Sequence, residues 1–313
     1  MFSTSNDGTL ILETGAANDV SQLVWVDASG KKIEELGKPA EYRALRPSHD
    51  GRRVALAILD PATDHTDLWI MDIARRTATR LTFDPGDENA PRWSPDDSQI
   101  VYFSNAKTAG DLLVKRTSGT GTEEVIYSNN FFKIPTDWSP DGKTIFFQQQ
   151  IPGKSGWDLW TFSLVDRKAQ VFLQTPFDEG NALWSPDGRW VLYHSNESGK
   201  QEIYVVPADG KGGKWQISTD GGTRPRWSSD GKEIYYIVPR ELKLMAVGVA
   251  TQGNEFIAGT PRPLFSLENT PRNNATPYEV ANDGKRFLVN TVPEQREIAP
   301  LTLIQNWTSA LKK

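Results

Sequence analysis

The stretch Trp138-Ser139-Pro140-Asp141-Gly142, followed at once by Lys143-Thr144-Ile145-Phe146-Phe147, decides the fold, because it recurs along the chain. Proline fixes φ at the second turn position, and glycine supplies the positive φ of the fourth. Such a turn reverses one β-strand into the next. Close copies read Trp93-Ser94-Pro95-Asp96-Asp97, Trp184-Ser185-Pro186-Asp187-Gly188 and Trp227-Ser228-Ser229-Asp230-Gly231. Weaker copies are Asn6-Asp7-Gly8, Pro47-Ser48-His49-Asp50-Gly51 and Asn282-Asp283-Gly284. With the shared Asp as marker, the copies fall at 7, 50, 96, 141, 187, 230 and 283, spaced 43, 46, 45, 46, 43 and 53 residues apart. A period near 45 residues is that of one four-stranded blade of a β-propeller.

The rest of each repeat agrees. After each turn comes an apolar strand (Ile100-Val101-Tyr102-Phe103; Val191-Leu192-Tyr193), then a polar loop and a third strand (Asp67-Leu68-Trp69-Ile70-Met71; Asp158-Leu159-Trp160-Thr161-Phe162). Many strands are apolar on both faces, as a sheet packed on both sides requires. No segment sustains a 3.6-residue apolar period. The expectation is one all-β domain over residues 1–313, with blades starting near 1, 44, 90, 135, 181, 224 and 277. Seven markers give seven blades, with six as the alternative. The last copy supplies Arg286-Phe287-Leu288-Val289 and Leu301-Thr302-Leu303-Ile304 and then runs short. Either it is three-stranded, or the natural chain continues upstream of Met1 and completes it. The recurring Trp reads as a plug between blades, and the marker Asp as a turn residue rather than a metal ligand.

Composition narrows the function classes. The net charge is −5, from 35 basic and 40 acidic residues, which argues against binding a phosphate backbone. The chain has no cysteine, so disulfides, thiolate metal sites and a Cys nucleophile are excluded. No apolar run approaches the ~20 residues of a membrane-spanning helix. His49, His65 and His194 have no metal-type spacing, and no Gly-x-Ser-x-Gly elbow is present. The sequence calls for no cofactor and no catalytic residue.

With the repeats established, the chain resembles the TolB-like propeller family, whose blades carry the same turn. It is similar in particular to the C-terminal propeller of large bacterial serine/threonine protein kinases. That likeness is carried by Leu23-Val24-Trp25-Val26-Asp27, Leu173-Gln174-Thr175-Pro176-Phe177, Gly212-Gly213-Lys214-Trp215-Gln216 and Phe287-Leu288-Val289-Asn290. The resemblance implies an extracytoplasmic sensing module that docks a protein or peptide. None of the kinase motifs themselves is present: no Gly-rich phosphate loop, no Val-Ala-Ile-Lys, no His-Arg-Asp, no Asp-Phe-Gly. A free-standing periplasmic scaffold, or a metal-dependent propeller enzyme of lactonase or lyase type, are the alternatives.

For a docking module the expected surface is the rim formed by the non-repeated loops. It offers Asp87 and Glu88, then Phe131, Phe132 and Lys133, then Trp157, then Phe177, Asp178 and Glu179, then Arg224, and last Arg272, Asn273 and Asn274. Aromatic rings beside Arg are typical interface anchors. The oxygen-rich loops 84–89 and 177–181 suit Ca²⁺ or are ordinary turns. One residue before each Trp position stand Arg46, Arg92, Asp137, Leu183, Arg226 and Glu279. These either line a polar central channel or form ion pairs between blades.

Overall fold

A computed structural model describes residues 2–4, 9–13, 20–153, 156–253, 255–271, 275–292 and 301–305, of which 2–4, 9–13 and 301–305 are described by their backbone alone. The repeated turn folds as its residues dictate. Ser139 Oγ donates to Asp141 Oδ1 at 2.7 Å and accepts from Thr144 N–H at 2.9 Å. Lys143 N–H donates to Asp141 Oδ1 at 3.0 Å, and Gly142 takes φ 74°. Ser94–Asp96, Ser185–Asp187 and Ser228–Asp230 repeat the Ser–Asp bond at 2.6, 2.6 and 2.7 Å. The marker Asp is thus a turn residue in each of these copies.

Each turn joins the two innermost strands of an antiparallel sheet. Five sheets follow in chain order, with innermost strands in the second half of Lys32–Pro47, then Glu88–Trp93, Lys133–Trp138, Glu179–Trp184 and Thr223–Trp227. We number these blades 1 to 5. Blade 6 is assembled from both ends of the described chain. Tyr278–Val280 and Arg286–Thr291 pair with Ser21–Asp27, which pairs with the first half of Lys32–Pro47. That 16-residue strand is therefore outermost in blade 6 and innermost in blade 1, where Glu41–Pro47 pairs with Arg53–Asp60. The innermost strands touch in cyclic order and close the ring.

Among the described residues the ring thus has six blades rather than seven. The strands on either side of the first marker, Phe2–Thr4 and Thr9–Glu13, pair with each other, and Thr9–Glu13 pairs with Leu301–Gln305. They make a separate three-stranded sheet. Leu301–Gln305 is consequently not the third strand of the last blade; Ser21–Asp27 takes that place. Blade 5 carries an addition: Lys243–Gln252 runs past its blade and folds back on Glu255–Ala258, while Arg262–Ser266 pairs with its first part.

The core lies between blades. Trp93, only 2% exposed, packs with Ala44, Ala55 and Leu68 of blade 1 and Ile100 and Tyr102 of blade 2. Trp138 does the same between blades 2 and 3. Burying such a ring stabilises by roughly 2–3 kcal/mol.

Neighbouring turns are also sewn together on one face of the ring, the turn face. Asp97 stands where other copies have Gly, at φ 56°, and its carboxylate accepts His49 N–H at 2.9 Å and Asp50 N–H at 2.8 Å. Asn282 Nδ2 donates to Ser48 O at 2.9 Å, and Ser229 Oγ donates to Asn282 O at 2.6 Å.

Candidate functional site

Two regions offer chemistry: the channel that the innermost strands surround, and the loop face opposite the turns. In the channel one residue from each blade meets in a single tier. Glu279 accepts from Arg226 Nε at 2.8 Å and Nη2 at 2.6 Å, and from Arg46 Nη1 at 3.1 Å. Asp137 accepts Trp184 N–H at 2.8 Å, and its other oxygen stands 3.6 Å from Arg46 Nη2. Arg92 donates to the backbone carbonyls of Thr136 and Pro91. Leu183 is buried in the same tier. The expected channel residues are brought together, and they pair between blades as well.

The electrostatics follow from burial. Removal from water holds Asp137's carboxyl above its ordinary value although Arg46 opposes the shift. Burial also works against the charge of Glu279, but Arg226 and Arg46 outweigh it and keep that carboxyl below the usual range. Arg92 is pulled down to about 9 by burial and by the neighbouring Arg46 and Arg226. On the turn face Arg46, Asp137, Leu183, Arg226 and Glu279 of this tier form the base of a cavity of about 460 Å³, walled by Trp138, Trp184 and Trp227, by the turn prolines and by polar turn residues such as Ser185 and Asn282.

On the loop face the structure divides the expected rim residues into three kinds. Glu88, Lys133 and Glu179 are not on the surface: they are 1%, 0% and 1% exposed. Each begins an innermost strand and is covered by the neighbouring blade. Burial, then the Asp67 carboxylate of blade 1, push Glu88 up to about 8. Burial pushes Glu179 up to about 7, with Asp158 of blade 3 adding and the Thr175 hydroxyl opposing. Burial lowers Lys133 to about 8 against the pull of Asp111 in blade 2, and its ammonium donates to Gly110 O and Asn129 O.

Asp87 and Asp178 are clamps between blades. Asp87 accepts Thr66 N–H of blade 1 at 2.9 Å, while its own N–H donates to Asn105 at 2.7 Å. Asp178 repeats the arrangement with Trp157 N–H of blade 3 and Asn196, both at 2.9 Å. The two acidic loops are therefore committed to backbone hydrogen bonds. Among the described residues no group of three or more His, Asp or Glu is placed to hold a metal ion.

The aromatic residues are the accessible part. Phe132 and Phe177 are 37% and 40% exposed, and Phe131 and Trp157 are half-buried. The Phe132 ring lies 5.5 Å from Trp157 and 5.3 Å, edge-on, from Phe103. Phe83, 68% exposed under the Arg80 guanidinium at 4.9 Å, joins them on the loop leading into blade 2. In the sequence Phe83 does not stand out, because its loop draws notice for its carboxylates. Arg224 sits on a β-bulge at φ 54°, and Ala90 and Asn181 occupy matching bulges at φ 53°. His194 is half-buried; burial and then Arg224 lower it to about 4, so it is neutral near pH 7. Arg272, Asn273 and Asn274 lie outside the described residues.

A ring of four-stranded blades stitched by Ser-Pro-Asp-Gly turns defines a β-propeller. The profile of the TolB beta propeller domain family, PD40, matches residues 3–180, and the chain belongs to that family. The Tol-Pal system protein TolB of Francisella tularensis subsp. holarctica (strain OSU18) is 26% identical over 237 residues, 72% of this chain and 53% of the relative. The chain thus spans about half the length of that protein. A solved structure from Agrobacterium tumefaciens described as TolB superposes with a TM-score of 0.66 at 17% identity, covering 88% of this chain and 99% of that one. An oligogalacturonate lyase in complex with manganese has the same fold at 15% identity and a TM-score of 0.53, over 94% and 96% of the two chains.

Proposed function

We propose that the chain is a non-catalytic docking propeller that works outside the cytoplasm and grips a protein partner with the loop face of blades 2 to 4. The observation that carries this is the arc of Phe83, Phe132, Trp157 and Phe177. The loops into three successive blades each present an exposed phenylalanine on one face, while the charged residues beside them are buried or bonded. Aromatic anchors on a rigid, pre-organised scaffold suit protein recognition. Membership of the TolB propeller family supports a binding role, and the Tol-Pal system in the relatives' name makes its Pal component the first partner to test.

A second reading rests on the resemblance of segments such as Leu23–Asp27 and Phe287–Asn290 to kinase C-terminal propellers. In it the propeller is the extracytoplasmic sensor of a kinase-type signalling protein.

The test is titration of the purified propeller with purified Pal from the same source. Wild type should bind, and Phe132→Ser with Phe177→Ser should weaken binding at least tenfold. Equal affinity of the double variant would remove the loop face from the reading, and no binding at all would remove Pal. Sequencing the gene upstream of Met1 separates the two settings: in-frame kinase motifs and a membrane span mark the sensor, a stop codon the free-standing scaffold.

A further inference from the structure

The channel tier is not neutral. It holds three guanidinium groups, of Arg46, Arg92 and Arg226, and two carboxylates, of Asp137 and Glu279, of which all but Arg92 line the cavity. Glu279 is saturated by Arg226 and Arg46. Among the described residues Arg92 meets no carboxylate within ion-pair distance and bonds only to backbone carbonyls. Arg46 Nη2 is 3.6 Å from Asp137, beyond good hydrogen-bond length. The Arg46 side chain is 19% exposed where that of Glu279 is 3% exposed, so a donor with charge to offer faces the cavity. Above it the walls carry indole rings and the turn prolines, with His49, Ser185, Ser228, Ser229 and Asn282 among them. Burial first, and then Arg46 and Arg226, lower Arg92 to about 9.

We propose that the turn-face cavity binds a carboxylate carried on an apolar body. The carboxylate takes Arg46 Nη2 and meets the surplus positive charge, and the apolar part lies along Trp138, Trp184 and Trp227. A guanidinium–carboxylate contact in a partly desolvated pocket is among the stronger polar interactions, and a cavity of about 460 Å³ is of the size that holds a small ligand. The carboxylate can be a peptide C-terminus or a free organic acid. The site is on the face opposite the aromatic arc and does not depend on the reading given for that arc.

The experiment is calorimetric titration of the whole chain with N-acetylphenylalanine, its carboxamide, acetate, and an N-acetylated tripeptide ending in phenylalanine with a free carboxylate. Quenching of tryptophan fluorescence gives a second readout. N-acetylphenylalanine should bind at least tenfold more tightly than the carboxamide and than acetate. Arg46→Met should weaken it at least tenfold. Asp137→Asn keeps the acceptor for Trp184 N–H but removes the opposing charge, and should strengthen it about threefold or more. This second variant keeps the test sound if Arg46→Met fails to fold. A tripeptide that binds more tightly than the free acid identifies a peptide end as the source; one that binds more weakly identifies a free acid. Equal affinity for acid and carboxamide, acetate binding as well as N-acetylphenylalanine, or no binding up to about 10 mM overturns the proposal.

Discussion

On the turn face, connections of near-identical sequence make the same hydrogen bonds blade after blade, and between them lies a cavity that no single repeat contains. On the loop face, connections of unlike sequence hide Glu88, Lys133 and Glu179, bond Asp87 and Asp178 to the next blade, and leave phenylalanines outside. Repetition marks a local problem that each blade solves alike. It does not mark an inert surface, because the tier beneath the turns takes Arg from three blades and Asp, Leu and Glu from the other three. Variability, in turn, does not mark an accessible side chain.

The largest effect expected is on the channel tier. Glu279→Leu leaves Arg226 and Arg46 charged and without their carboxylate, at a cost of about 3–5 kcal/mol, measurable by urea denaturation. Adding Arg226→Met should recover much of that loss. A single-variant cost below about 1 kcal/mol would show that the tier does not hold the ring together.

Next comes a loop-face clamp. Asp178→Ala removes the acceptor for Trp157 N–H and should cost about 1–3 kcal/mol. Because Trp157 packs on Phe132, it should also weaken partner binding, whereas Asp187→Ala in a repeated turn should leave binding unchanged. If the two variants lose binding equally, the division between the faces fails.

Glu88 gives the comparison a pH signature. Its folded value is raised to about 8 from 4.5, so the folded state holds more protons than the unfolded one between those values. Its contribution to stability is therefore fully present below about pH 4.5 and is lost as pH rises through 8. Glu88→Gln should flatten that slope and raise stability at pH 8 by on the order of a few kcal/mol. An unchanged slope between pH 5 and 8 would mean Glu88 is charged when folded.

The smallest effect belongs to a single turn. A methyl group at Gly142 would meet open space, but the residue sits at φ 74°, so Gly142→Ala should cost about 1 kcal/mol from backbone conformation alone. Asp97→Gly relieves the same strain yet loses the bonds to His49 and Asp50, and its melting temperature should fall, not rise.

The Trp-Ser-Pro-Asp-Gly turn was enough to read the propeller, because its proline, aspartate and glycine act within five residues. The number of blades was not legible by counting markers. Asp7 lies between strands of a separate sheet, and Ser21–Asp27, which completes the closing blade, is followed by no such turn. The channel tier could be read from register, since one position before the Trp faces the axis in each blade. Burial of Glu88, Lys133 and Glu179 could not, because alternation along a strand says nothing of what covers its first residue. A signal did exist. All three stand five residues before the Trp, and each lies beside the Asp that begins or nearly begins the third strand of the preceding blade: Asp67, Asp111 and Asp158.

The strand Lys32–Pro47 has a consequence for the order of folding. Blades 1 to 5 can each form from a run of roughly 40 to 50 residues as the chain is made. Ser21–Asp27 cannot find its inner neighbour until Arg286–Thr291 exists, far along the sequence. Ring closure is thus a late, long-range event with a high entropic cost. Until it happens the edge of Ser21–Asp27 stands unpaired, and the nascent propeller is most open to misassociation at the seam that finally locks it.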